Sequence, residues 1–225
     1  MRPASDFDRI ASNIAIWHGY DSAVKAELYS TCLTTSGGSY LIDPIPLEKE
    51  AVDELIGSER VSGIIVTNGN HHRASAQFAE DFAVPIVAHP DSFPDKQPKR
   101  LRKVADGDEI CAGLQVIGIE GAADGEITLH YTPNGGTLIV GDALINFEPY
   151  GFTFLPAKYC SNQKQMCGHY ENFWITRQSE CFSRTAGRFC PARVNGCKVC
   201  SIAKAVNYEW TRIDTNQSMR KCVPR

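Results

Sequence analysis

The chain has 225 residues, of which 43% are hydrophobic and 22% charged, ample for one sizeable core. A formal net charge of −3 argues against a nucleic-acid-coating polycation, and no apolar run reaches the roughly 18 residues of a helical membrane span. The N-terminus shows no apolar signal region, so a cytoplasmic protein is the expectation.

The averages conceal a break. Residues 167–225 carry ten Lys/Arg against four Asp/Glu, a net of +6, whereas residues 1–166 carry 13 against 22, a net of −9. Six of the nine cysteines (Cys167, Cys181, Cys190, Cys197, Cys200, Cys222) also lie in the final quarter.

In chain order, residues 14–45 read as strands. Ala26–Leu33 and Ser39–Pro44 flank a Ser36-Gly37-Gly38 turn, the pattern of a hairpin. Leu47, Ala51, Val52, Leu55 and Ile56 fall at helical spacing, with Gly57 as a stop. Gly63–Val66 is a short apolar run suited to a buried strand. A second helix is predicted over 73–82, with Phe78 and Phe82 on one face, and a further strand over 84–89. Strand, helix, strand, helix, strand implies a parallel βαβ region. From about residue 100 the pattern changes to short strands around turns: 106–110, 114–119, 126–131 and 137–142, read as antiparallel hairpins.

Three stretches carry a family resemblance: Leu41-Ile42-Asp43-Pro44, Ile64-Ile65-Val66-Thr67-Asn68-Gly69-Asn70-His71-His72-Arg73, and Leu138-Ile139-Val140-Gly141-Asp142. Over residues 14–160 or so the chain resembles the metallo-β-lactamase superfamily. The resemblance implies an α+β fold, an αββα sandwich with its C-terminal elements missing or non-native. It also implies a hydrolase that activates water between metal ions, zinc or iron. The family's Thr-His-x-His-x-Asp-His loop falls on Thr67–Arg73, but Asn68 and Asn70 replace its first two histidines. His72 stands at its aspartate and Arg73 at its last histidine, and Ala122 takes the place of a later ligand histidine. Asp142 matches a bridging carboxylate in type.

The residues singled out as metal ligands are therefore His71, His72 and Asp142. Asn68, Asn70, Arg73, Glu126 and His130 are expected to line the crevice. Blander readings stand beside these: His71-His72 as a loop pair without metal, Asp142 as a turn cap, Asp43-Pro44 as a turn device. Glu126 and His130, four apart in a strand, share one face, and a solvated face is the more ordinary outcome. The expected ligand is a small molecule, with no membrane partner, no nucleic acid, and self-association open.

The tail 167–225 fits neither a helical nor a strand period. Slipping the frame by one base after Met166 forces Leu from His169/Tyr170, Leu from Phe173/Trp174 and Asp from Trp174/Ile175. Further on it permits an apolar run closing on His-Gly, which suits the last ligand strand of such a fold. The tail is accordingly read as out of frame and poorly ordered, and the chain as impaired or inactive in hydrolysis. Two rivals are a non-catalytic binding domain and a C-terminal zinc or nucleic-acid module. The zinc module would use Cys197 and Cys200 with Cys190 or Cys181 and His169.

Overall fold

The computed structural model describes residues 1–133, 136–147, 151–169 and 198–201. Seven strands form a first sheet in sequential order: β1 Asp8–Ala11, β2 Ile14–Asp21, β3 Ala26–Thr35, β4 Gly38–Ile42, β5 Val61–Val66, β6 Ile86–Ala88 and β7 Leu101–Lys103. The first four strands are antiparallel. From β4 onward the pairs are parallel, bridged by helix α1, Lys49–Ile56, and helix α2, Ser75–Asp81. This is the βαβ region expected from the alternation of apolar runs.

A second sheet holds β8 Glu109–Cys111, β9 Leu114–Gly118, β10 Ile127–Tyr131 and β11 Thr137–Val140, with β14, Lys198–Ser201, parallel on the outer edge of β11. A separate hairpin joins β12 Leu144–Phe147 to β13 Gly151–Phe154. Helix α3 covers residues 163–169.

Alternation along the strands sorts the core into two layers. Leu41, Ile64, Val66, Ile86 and Ala88 face α1 and α2, against Leu55, Ile56 and Phe78. Their neighbours Tyr40, Ile42, Ile65 and Val87 face the second sheet, against Leu114, Val116, Ile127, Leu129 and Ile139. Strands β5 and β6 are thus buried on both faces, which is why they read as continuous apolar runs. A third cluster, Ile119, Ala122, Ala143, Ile145, Leu155, Met166 and Cys167, seats α3 at one end. Cys167 extends this helix and is buried in it, so packed structure runs past Met166.

The short strands β1, β7, β12 and β13 were not expected from the sequence. The first two present little buried apolar surface, which is the signal that periodicity detects. The reading of the tail as out of frame and poorly ordered, and its zinc rival at Cys181, Cys190 and Cys197, fall outside the described residues. Of residues 170–225 only Lys198–Ser201 is described.

Candidate functional site

The site gathers where β4, β5 and β11 end and β10 begins. Asp43, just past β4, adopts a left-handed backbone, φ 48°, and is fully buried. Asp is among the few residues that tolerate this conformation. Its Oδ1 accepts the Thr67 backbone N–H at 2.8 Å, and its Oδ2 accepts the Thr67 hydroxyl at 2.5 Å. This locks the end of β4 to the end of β5. Thr67 in turn accepts, through its carbonyl, the N–H of Ile127 at 2.8 Å, tying the first sheet to the second.

The loop after β5 then folds back on itself. The Asn68 side-chain oxygen accepts the Asn70 N–H at 2.9 Å, an Asx turn, while its Nδ2 donates to Glu126 Oε2 at 2.8 Å. Glu126 Oε1 accepts the Ala143 N–H at 3.1 Å. His71 lies between two carboxylates: Nδ1 is 2.8 Å from Asp43 Oδ2 and Nε2 is 3.2 Å from Asp142 Oδ1. The ring is 4% exposed.

Charge in so dry a place sets the protonation. Burial works against an imidazolium, but Asp43 and then Asp142 outweigh it, with Arg73 opposing them, and the His71 pKa is raised to about 9. With both ring nitrogens protonated, each donates to a carboxylate. Glu126 behaves in the opposite sense. Burial, reinforced by Asp142, pushes its carboxyl up to about 8, so it is largely protonated at neutral pH. Arg73, also on left-handed backbone at φ 39°, donates through Nη1 to the carbonyls of Tyr29 at 2.5 Å and Asp43 at 3.0 Å. Two cations, His71 and Arg73, therefore stand beside two anions, Asp43 and Asp142.

His72 is turned away from this cluster. Its Nε2 donates to the Ser92 carbonyl, and its ring stacks on Phe93 with centroids 4.1 Å apart. It walls a crevice of about 480 Å³ together with Asn70, Ala122, Asp124 and Tyr159. His130 sits half-buried in β10 opposite Gln115 and Leu138, and lines neither this crevice nor the groove described below. Of the singled-out residues, then, His71, Asp142, Asn68, Glu126 and Arg73 converge, Asn70 and His72 border the crevice, and His130 lies apart. For Glu126 the ordinary expectation of a solvated face gives way: it is buried at the junction of the sheets.

Asp43 and Thr67 were missed as site residues. The usable signal was an acid placed directly after an apolar strand that is covered on both faces. A turn device would be exposed, whereas Asp43 is fully buried.

A residue model for the metallo-beta-lactamase superfamily matches residues 9–172. The chain belongs to this superfamily. Solved structures agree on the fold. The DIM-1 metallo-beta-lactamase superposes with a TM-score of 0.61 at 11% identity, covering 79% of this chain and 86% of that one. The metallo-beta-lactamase from Pontibacter korlensis gives 0.59 at 13% identity, covering 76% and 85%. TTHA1623, solved in a di-iron-bound form, gives 0.55 at 19% identity, covering 82% and 90%. No curated protein matches the chain.

The superfamily context implies a metal, so the donor set has to be tested against one. Both nitrogens of His71 point at carboxylates, the Asn68 oxygen is taken by a backbone N–H, and Ala122 carries no donor. Arg73 brings a fixed positive charge to the same cluster. Among the described residues no three His, Cys, Asp or Glu side chains converge as a metal would need. This set does not fit a dinuclear centre.

Proposed function

We propose that this protein is a metallo-β-lactamase-superfamily domain impaired in metal-dependent hydrolysis, which uses its crevice to bind a small molecule. One observation carries the reading: both ring nitrogens of His71 lie against carboxylates of the protein itself, Nδ1 on Asp43 and Nε2 on Asp142, so neither is turned toward open space where a metal would sit. Water activation in such a crevice needs a metal to lower the pKa of bound water, with neutral imidazoles and ionised carboxylates free to hold it. Here the carboxylates are already neutralised from within, and Glu126 holds its proton through burial. What remains is a polar crevice beside this cluster, of a size that suits a small ligand.

A second reading has one observation in its favour. His71 Nε2 and Asp142 Oδ1 are 3.2 Å apart, a separation that two ligands of a single zinc or iron ion also show. Turnover separates the two. The chain, supplied with Zn²⁺ or Fe²⁺, is assayed on p-nitrophenyl acetate, bis(p-nitrophenyl) phosphate and a chromogenic cephalosporin. We expect no metal-dependent rate above background, and chelator-sensitive, saturable hydrolysis of any of the three would overturn the reading.

A further inference from the structure

A second concavity lies on the other side of His72. It encloses about 410 Å³, and its walls are mainly apolar: Ile86, Phe93, Pro94, Pro98 and Ala76. Arg73 forms part of the wall. Its guanidinium commits only Nη1 to the protein, on the carbonyls of Tyr29 and Asp43. Both partners are neutral. Among the described residues no carboxylate pairs with Arg73 directly, and Asp43 and Asp142 act on it only from farther away.

The Nε and Nη2 edge makes no hydrogen bond among the described residues, and neither nitrogen is sealed in the core. That edge offers parallel N–H donors in the fork that matches the two oxygens of a carboxylate. At the rim, the exposed Asp95 is offset by its neighbour Lys96. Arg73 also sits on left-handed backbone, a conformation strained in a non-glycine residue that recurs at ligand clamps.

We propose that this groove binds a small organic carboxylate with an aromatic or branched apolar body. The carboxylate forks onto the Nε/Nη2 edge of Arg73, and the body lies against Phe93 and Ile86. A guanidinium edge set in mainly apolar walls favours a monoanion with a greasy body over a phosphate, whose greater charge is costlier to take out of water. The inference rests on the reading above that the domain captures a small molecule, and is otherwise independent of the metal question.

The test is a titration of the full chain, followed by NMR of the Arg73 Nε–H, with phenylacetate and with its neutral twin phenylacetamide. We expect saturable binding of the acid, at least about tenfold tighter than the amide, the usual worth of a charge-assisted hydrogen bond. Arg73→Lys keeps the charge but loses the fork, and should erase most of that preference. Should Arg73→Lys fail to fold, Ala76→Trp serves instead. Ala76 is exposed on α2, and a Trp there fills the groove without disturbing the core. Equal affinity for acid and amide, or undiminished acid binding by Ala76→Trp, would overturn the proposal. A metal ion bound at the His71 cluster with acid selectivity intact would sink the hydrolytic impairment alone. A metal-free chain that does not distinguish acid from amide would sink the groove alone.

Discussion

His71 is the residue on which the site turns, because its ring bridges the fully buried Asp43 and the partly exposed Asp142 and offsets their charge. Removing one partner of a buried charge cluster strands the others, typically at about 3–5 kcal/mol. We expect His71→Ala to lower stability by that order in urea denaturation, whereas Asn70→Ala at the crevice wall should cost no more than about 0.5 kcal/mol. A His71→Ala protein as stable as the parent would show that the carboxylates are not held by the imidazolium.

The pH dependence has a definite sign. His71 has its pKa raised from 6.5 to about 9, so its contribution is complete below about pH 6.5 and is lost as pH rises through 9. Glu126 is raised from 4.5 to about 8, and a carboxyl that prefers its proton in the folded state also loses stabilisation as pH rises, here between about 4.5 and 8. Both groups act in one direction. Thermal melts should show Tm falling from pH 6 to pH 9, and the slope should flatten in a Glu126→Gln variant. A Tm that climbs over this range contradicts the protonation states given to the pair. At this scale the sequence exposed the right loop, because Thr67–Arg73 is a contiguous stretch after an apolar strand. It hid the partner of His71: no local pattern shows that Asp43, 28 residues upstream, reaches the Nδ1 of that ring.

Among the elements, the site depends on how closely β5 and β11 approach at their ends. Gly141 follows β11, and a Cβ there would lie 2.5 Å from Glu126 Oε1 and 2.7 Å from Thr67 Oγ1. Those atoms are fixed by their own hydrogen bonds and cannot move away cheaply. Gly141→Ala should therefore destabilise by about 1–3 kcal/mol, the cost of overpacking a filled site, and should shift the His71 ring resonances. An unchanged denaturation midpoint would show slack that the packing does not suggest. The strands were legible where burial was two-sided or strictly alternating, as in β3, β5 and β10. Helices α1 and α2 were legible from their apolar spacing, while the burial of Glu126 was not, because it follows from the contact between sheets rather than from its own strand.

At the level of the whole molecule, β14 forms the edge of the second sheet and covers β11, with which it pairs in parallel. An uncovered β11 would present a free ladder of N–H and C=O groups, a template for association. A chain ending at residue 169 should therefore self-associate more than the full chain in light scattering after gel filtration. Identical masses for the two would show that β14 does not protect that edge. The composition break at 167 marks where the family match soon stops, at residue 172, and the out-of-frame origin proposed for the tail is checked by reading the nucleotides around the Met166 codon.

The central claim is that two internal cations, His71 and Arg73, take the place of metal beside Asp43 and Asp142. The direct measurement is the metal content of the purified full chain after equilibration with Zn²⁺ or Fe²⁺ and removal of excess ion. We expect well under one equivalent per chain, whereas about two equivalents held against dilution, as in a water-activating dinuclear centre, would contradict it.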